Sequence, residues 1–236
     1  MDALSFPPKW IFRPTGSNYV EIFQTSPFLR YLLNSLIVAS TNTLASVGLG
    51  SLAAYGFARF KFKGSDNLAF WILSTRMMPP VASIIPVYII MKTLRILDTP
   101  WCLVIIYLTI NLPFAVWMMK GFFEDIPREI EESALLDACS EFKVFRKIAL
   151  PLAAPGLAAT AILSFIFSWN EFLFALILTG TRAVTVPVGI IGYMKESGIL
   201  WGYMTAGGTL ALIPVIILTI FSQRHLVKGL TFGALK

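Results

Sequence analysis

Charged side chains are scarce in this 236-residue sequence, at 14% against about a quarter in soluble domains. Histidine occurs once and cysteine twice. Cys102 lies in an apolar segment and Cys139 in a charged one, an arrangement with neither a disulfide framework nor metal-ligand spacing. The lone His225 has no partners for catalysis or metal binding. The net charge of +6 is spread over several loops, which argues against a nucleic-acid surface. Hydrophobic residues, in contrast, make up 56% of the chain, and the mean hydropathy is +0.74. One soluble core of this length could not bury that much apolar side chain, so the composition points to a membrane protein.

Four stretches have no charged side chain: residues 31–58, 99–119, 148–170 and 197–223. Each reaches the roughly 20 residues needed to cross a bilayer as a helix. A fifth, residues 67–91, contains Arg76 and is interrupted by Pro79, Pro80 and Pro86, which predicts a kinked span. The expected spans are 31–58, 67–91, 99–119, 152–179 and 199–222. Lysine and arginine set their orientation. Arg59, Lys61, Lys63, Lys120, Arg128, Lys143, Arg146, Lys147, Arg224, Lys228 and Lys236 gather on one side. The opposite side holds the smaller set of Lys9, Arg13, Arg30, Lys92, Arg95, Arg182 and Lys195. The richer side is cytoplasmic. The segment 1–30 is therefore extracytoplasmic, and the tail 224–236 and the loop 124–151 are cytoplasmic. Residues 1–29 have no signal-peptide pattern, so an upstream membrane helix is expected to carry them across; translocation by the first span itself is the alternative.

The loop 124–151 changes from apolar to amphipathic. Glu124, Asp125 and Pro127 suit a helix start. Ile130, Ala134 and Ala138 recur at helical spacing with Leu135 beside them, and Glu131, Glu132 and Asp137 lie off or beside this stripe. Ser140 and Glu141 interrupt it before a second stripe of Phe142, Phe145, Ile148 and Ala149. Two short helices with an elbow are predicted. Small residues let a helix lie deep in a groove, with acids pairing at its rim. A helix lying on lipid would instead carry lysine and arginine on its polar face. The loop reads as a docking device for a soluble partner.

The run Glu132-Ser133-Ala134, three residues, Ala138, nine residues, Ile148-Ala149-Leu150-Pro151 closely resembles the Glu-Ala-Ala loop of binding-protein-dependent ABC importer permeases. The family pattern is Glu-Ala-Ala, three residues, Gly, nine residues, Ile-x-Leu-Pro. Ser133 replaces alanine and Ala138 replaces glycine; alanine restricts the elbow more than glycine would. The resemblance extends over nearly the whole chain, to the carbohydrate branch and its maltose-type second permease subunit. It includes Asn34-Ser35-Leu36-Ile37-Val38, the block from Ala53 to Phe60, Asn111-Leu112-Pro113-Phe114, Trp169-Asn170-Glu171-Phe172 and the ending from Leu226 to Ala234. Members of this branch usually have an additional N-terminal helix, which agrees with the expectation from topology.

The resemblance implies an all-α, polytopic five-helix permease core of the methionine-importer type, multi-pass in a bacterial inner membrane and surrounded by lipid. It implies a second homologous permease, two ABC ATPase subunits, an extracytoplasmic solute-binding protein and a sugar substrate as partners. Glu132 takes the docking role of the family glutamate, with Ser133, Ala134, Asp137, Ala138, Ile148, Leu150 and Pro151 completing the loop. No Gly-x-x-x-x-Gly-Lys-Ser/Thr motif occurs, so ATP is expected to bind the partner, and no cofactor or catalytic residue is expected here. Trp169, Asn170 and Glu171 are candidates for the substrate path, as polar and aromatic groups within an apolar run; hydrogen bonding between helices is the alternative. Arg76 reads as a counter-ion for Glu171 or a residue at a kink. Asn111 is expected to satisfy backbone freed by Pro113. Gly48, Gly50, Ala53, Ala54 and Gly56 suggest a tight packing face. A permease for a non-sugar solute leaves the loop chemistry unchanged. A carrier that needs no ATPase would call for inverted repeats, and the sequence shows no convincing one.

Overall fold

The computed structural model describes residues 15–195 and 198–232. The proline-rich stretch from Phe6 to Trp10 and the last four residues of the tail lie outside the described residues, as do the side chains from position 221 onward, His225 included. In chain order the elements are α1 (Ser17–Thr25), α2 (Phe28–Arg59), α3 (Ser65–Thr75), α4 (Pro80–Thr93), α5 (Pro100–Glu124) and α6 (Arg128–Leu136). Then come α7 (Glu141–Val144), a π-turn (Phe145–Ala149), α8 (Leu150–Leu152), α9 (Ala154–Asn170), α10 (Leu173–Leu178) and α11 (Val186–Ile191). A short hairpin, β1 (Met194–Lys195) with β2 (Gly198–Ile199), leads into α12 (Trp201–Phe232).

Among the described residues, three helices are long and apolar enough to cross a membrane: α2, α5 and α12 through Ile220. Two bent pairs raise the number to five if each is one crossing: α3 with α4, turned by 88°, and α7–α8 with α9, turned by 77°. The first bend falls where Pro79 and Pro80 exclude a continuous helix, whereas Pro86 sits inside α4 without breaking it. At the start of α5, Pro100 follows Thr99, whose side chain accepts from the Cys102 N–H at 3.3 Å, a helix N-terminus fixed by local chemistry.

The central pair is α2 and α5, with α9 packed against both and α12 against α9. At their closest approach a Cβ on Gly50 would meet the Ala115 Cβ at 2.6 Å. Gly50 and Ala54 form the packing face; Gly48 and Gly56 have no neighbour there and Ala53 is exposed, since helical periodicity turns them away. A buried polar cluster pins the three helices together. Asn42 accepts from Asn111 Nδ2 at 2.7 Å and from Ser168 Oγ at 3.1 Å, and Asn111 also donates to Ser168 Oγ at 2.8 Å. Asn111 thus bridges helices rather than serving the backbone beside Pro113.

At the end of the bundle remote from α6, Asp98 ties two loops together. Its carboxylate accepts backbone N–H bonds from Gly180, Thr181, Arg182 and Ala183, at 2.9–3.0 Å. Burial alone would raise the Asp98 carboxyl, but these four donors outweigh it and hold the group well below the usual carboxylate range.

Candidate functional site

The helix–elbow–helix expected in the loop is present as α6, residues 137–140 and α7. Where α6 ends, Cys139 N–H bonds to Ala134 O at 3.2 Å and Ala138 N–H to Leu135 O at 3.0 Å. This is a Schellman motif, whose pivotal residue takes the left-handed conformation. That residue is Ala138, at φ +59°, the position where the resembled pattern has glycine. A side chain there carries a backbone penalty of about 1–2 kcal/mol. Ala138→Gly is therefore expected to stabilise the chain by about 0.5–1 kcal/mol after the added freedom of the unfolded chain is subtracted, read as a higher midpoint of thermal unfolding in detergent.

The inward face of α6 differs from the apolar stripe expected. Its one buried residue is Glu131, while Ile130 is 43% exposed and Leu136 89%. Glu131 meets the end of α2. Arg59 donates to its carboxylate from Nε at 2.9 Å and from a terminal guanidinium nitrogen at 2.7 Å. The Tyr55 hydroxyl donates to the same carboxylate at 2.9 Å. Arg59 also donates to Ile126 O, and Arg128 to Ala58 O, both at 3.1 Å. Around this bidentate pair, Tyr55 packs in an aromatic cluster with Phe123 and Phe145, ring centroids 5.5 and 5.0 Å apart. Ala149, Ala153 and half-buried Leu150 close that core from the second half of the loop. Ile148 is half-buried and Pro151 exposed. A bidentate arginine–carboxylate fork fixes orientation as well as distance, so α6 is held to the end of α2 in both respects.

The face of α6 turned outward carries Glu132, Ser133 and Asp137, all exposed, with Ala134 partly so and Leu136 at the tip. Small residues, acids and a protruding leucine together make a surface suited to a groove in another protein.

The second set of candidates is divided. Trp169 is buried, stacked on Phe165 at 5.6 Å and donating its indole N–H to Ala211 O at 3.2 Å; it fastens α9 to α12. Glu171 does not lie within a continuous helix. The span expected over 152–179 breaks after Asn170, because the Glu171 carboxylate accepts from Phe174 N and Ala175 N at 2.9 and 3.1 Å and starts α10. Such a carboxylate satisfies N–H groups that a helix start leaves open. Asn170 is exposed. Arg76 is not the counter-ion of Glu171; its guanidinium lies over the rings of Phe114 and Phe167.

Sequence reasoning missed Glu131, Arg59 and Tyr55 as a unit. The available signal was their spacing: Tyr55 and Arg59 are four residues apart, on one face of α2, at the end of an uncharged run.

Residues 46–232 match the family model described as binding-protein-dependent transport system inner membrane component. The chain is 38% identical over 229 residues to the trehalose/maltose transport system permease protein MalG of Thermococcus litoralis, covering 95% of this chain and 82% of that one. It is 38% identical over 225 residues to the trehalose transport system permease protein SugB of Mycobacterium tuberculosis, covering 94% and 82%. Among solved structures it resembles a bacterial ABC transporter that imports the acidic polysaccharide alginate, at 22% identity, with a TM-score of 0.73 and coverage of 89% and 79%. The inward-facing MetNI methionine ABC transporter superposes at 16% identity, with a TM-score of 0.65 and coverage of 87% and 99%, so the fold is the methionine-importer type. Three membrane-length apolar helices with two bent apolar pairs, a loop built like the Glu-Ala-Ala loop and these likenesses place the chain in the family of binding-protein-dependent inner-membrane transport components, as a multi-pass permease subunit of an ABC importer whose ATP hydrolysis resides in a separate subunit.

Proposed function

We propose that this permease conducts a sugar or sugar derivative and is driven through α6. The observation that carries the coupling half is the division of α6 into two faces. Glu131 locks the helix to Arg59 of α2, while Glu132, Ser133 and Leu136 are exposed on the outward side, the Ser133 hydroxyl bonding only back to Ile130 O of its own helix. In this reading Glu132 pairs at the rim of a cleft in the ATPase, with Ala134 and Ser133 allowing close approach, and Asp137 and Ala138 form the elbow. Ile148, Leu150 and Pro151 join the elbow to α9. Two ATPases closing on ATP pull the α6 helices of two permease subunits, and the rigid α2–α5 pair rocks with them between inward-open and outward-open arrangements. A solute-binding protein delivers the substrate at the opposite end. ATP binds the ATPases, and no cofactor is assigned to this chain.

The sugar half is supported by the carbohydrate-type blocks of the sequence and by the names of relatives at 38% identity. Asn170, exposed beside the break in the bundle, is the member of the Trp169–Asn170–Glu171 set that remains open to a solute; Trp169 and Glu171 position it. The complex reconstituted in liposomes with a solute-binding protein from the same organism that co-purifies with it, and offered trehalose, maltose and methionine, is expected to accumulate a sugar only when ATP is supplied. Uptake of methionine alone would favour a non-sugar permease, and uptake without ATP an autonomous carrier.

Charge reversal at the docking face, Glu132→Arg, is expected to abolish this uptake and weaken co-purification of the ATPase while membrane insertion is unchanged. Uptake at the normal rate would refute the docking role.

A further inference from the structure

Arg76 stands at the break between α3 and α4, where the chain turns by 88°. The eleven residues of α3, at a rise of 1.5 Å each, carry the chain about 16 Å inward from the end that holds α6. Phe114, counted back from Glu124 at that end of α5, and Phe167, counted from Ala154, lie about 15 and 20 Å inward by the same rise. The three residues therefore sit near the middle of a hydrocarbon layer about 30 Å thick. The guanidinium lies 4.7 Å from the centroid of the Phe114 ring and 4.8 Å from that of Phe167. The two rings meet edge-to-face, 5.2 Å apart. Among the described residues no carboxylate pairs with Arg76 and no oxygen accepts from its guanidinium. The rings supply attraction for the cation, but its N–H groups need acceptors.

The elbow itself poses the same requirement. Residues 76–79 form a turn, and Met77 is 80% exposed, with Met78 and Val81 also exposed. Non-helical backbone at this depth is stable only where protein covers it or water reaches it, and a lone cation has the same need. An aqueous path along the elbow satisfies both at once.

We propose, resting on the transport reading above, that Arg76 lines the solute path at mid-membrane. It offers its N–H donors to hydroxyl or carboxylate oxygens of the passing solute, while Phe114 and Phe167 hold the guanidinium from behind. The planar fork suits paired oxygens, such as neighbouring hydroxyls of a sugar ring.

The test uses the whole reconstituted complex with Arg76→Cys, in a background where Cys102→Ala and Cys139→Ser remove the native thiols. The probe is a membrane-impermeant trimethylammonium methanethiosulfonate reagent, applied without nucleotide and after vanadate trapping. Labelling in at least one state, slowed by the sugar that the unsubstituted complex transports, is the expected result. Absence of labelling in both states would overturn the proposal and show the elbow covered by the second permease. Arg76→Gln is expected to lose uptake while binding-protein-stimulated ATP hydrolysis persists, and Arg76→Lys to recover part of the uptake at a raised KM. Arg76→Gln transporting with unchanged KM and rate would also overturn it. If the unsubstituted complex takes up no solute, the transport reading fails instead.

Discussion

Truncating Glu131 to alanine is expected to destabilise the chain by about 3–5 kcal/mol, the usual loss when one partner of a buried ion pair is removed. Arg59 and Glu131 have side chains only 8% and 6% exposed, so the guanidinium left behind has little water to replace the carboxylate. The Tyr55 hydroxyl loses its acceptor at the same time. For a chain of this length the loss corresponds to a drop of about 6–20 °C in the unfolding midpoint. The functional consequence is more diagnostic than the stability change. With its anchor gone, α6 can follow the ATPase without moving α2, so ATP hydrolysis continues while solute uptake falls. The exchange Arg59→Glu with Glu131→Arg separates the two roles, because it restores charge pairing but not the fork or the tyrosine bond. Partial recovery of stability with uptake still impaired is expected. Full uptake in Glu131→Ala would show that the pair does not transmit the motion. Measuring ATP hydrolysis and uptake on the same liposomes distinguishes these outcomes.

The second large effect is expected at the other end of the molecule. Asp98→Asn keeps the shape of the side chain but turns an amide N–H₂ toward four backbone donors that one carboxylate now satisfies. Hydrogen bonds to a charged group contribute about 1.5–3 kcal/mol each where they are shielded. Asp98 is only half-buried, so a total loss of roughly 2–3 kcal/mol is expected rather than the sum. The penalty should depend on pH in a defined direction. The carboxyl of the folded chain is depressed below its unfolded value of about 3.9. Its contribution is therefore complete above about pH 5 and declines as the pH falls through and below about 4. The difference in unfolding midpoint between the native chain and Asp98→Asn should narrow from pH 6 toward pH 3. A constant difference across that range would mean that the ionised carboxylate is not what holds residues 180–183 to the loop before α5.

How much of this was legible beforehand depended on the length scale of the signal. Apolar runs identify helices because burial in lipid leaves a continuous mark, and α2, α5 and α12 lie where uncharged stretches fall. The loop pattern around Glu132 and Ala138 foretold both the elbow and the strained position, since a glycine site occupied by alanine is readable from one letter. Glu131 was not legible, because Ile130 and Ala134 suggested an inward apolar face while the actual docking partner, Arg59, lies far away in sequence. The break at Glu171 was hidden for a different reason. An apolar run on both sides looks continuous, and only the carboxylate's reach to Phe174 and Ala175 reveals that it starts a new helix. Asn111 likewise suggested local backbone repair beside Pro113, whereas its partners, Asn42 and Ser168, belong to two other helices.

The most direct test of the coupling account is purification of the tagged, unsubstituted chain from its native membrane in mild detergent, followed by mass spectrometry and an ATPase assay. The account predicts that a second permease and an ATP-binding subunit come with it, and that the complex hydrolyses ATP. Recovery of the full-length chain alone or as a homo-oligomer, without any ATP-binding subunit and yet able to carry solute in liposomes, would contradict it.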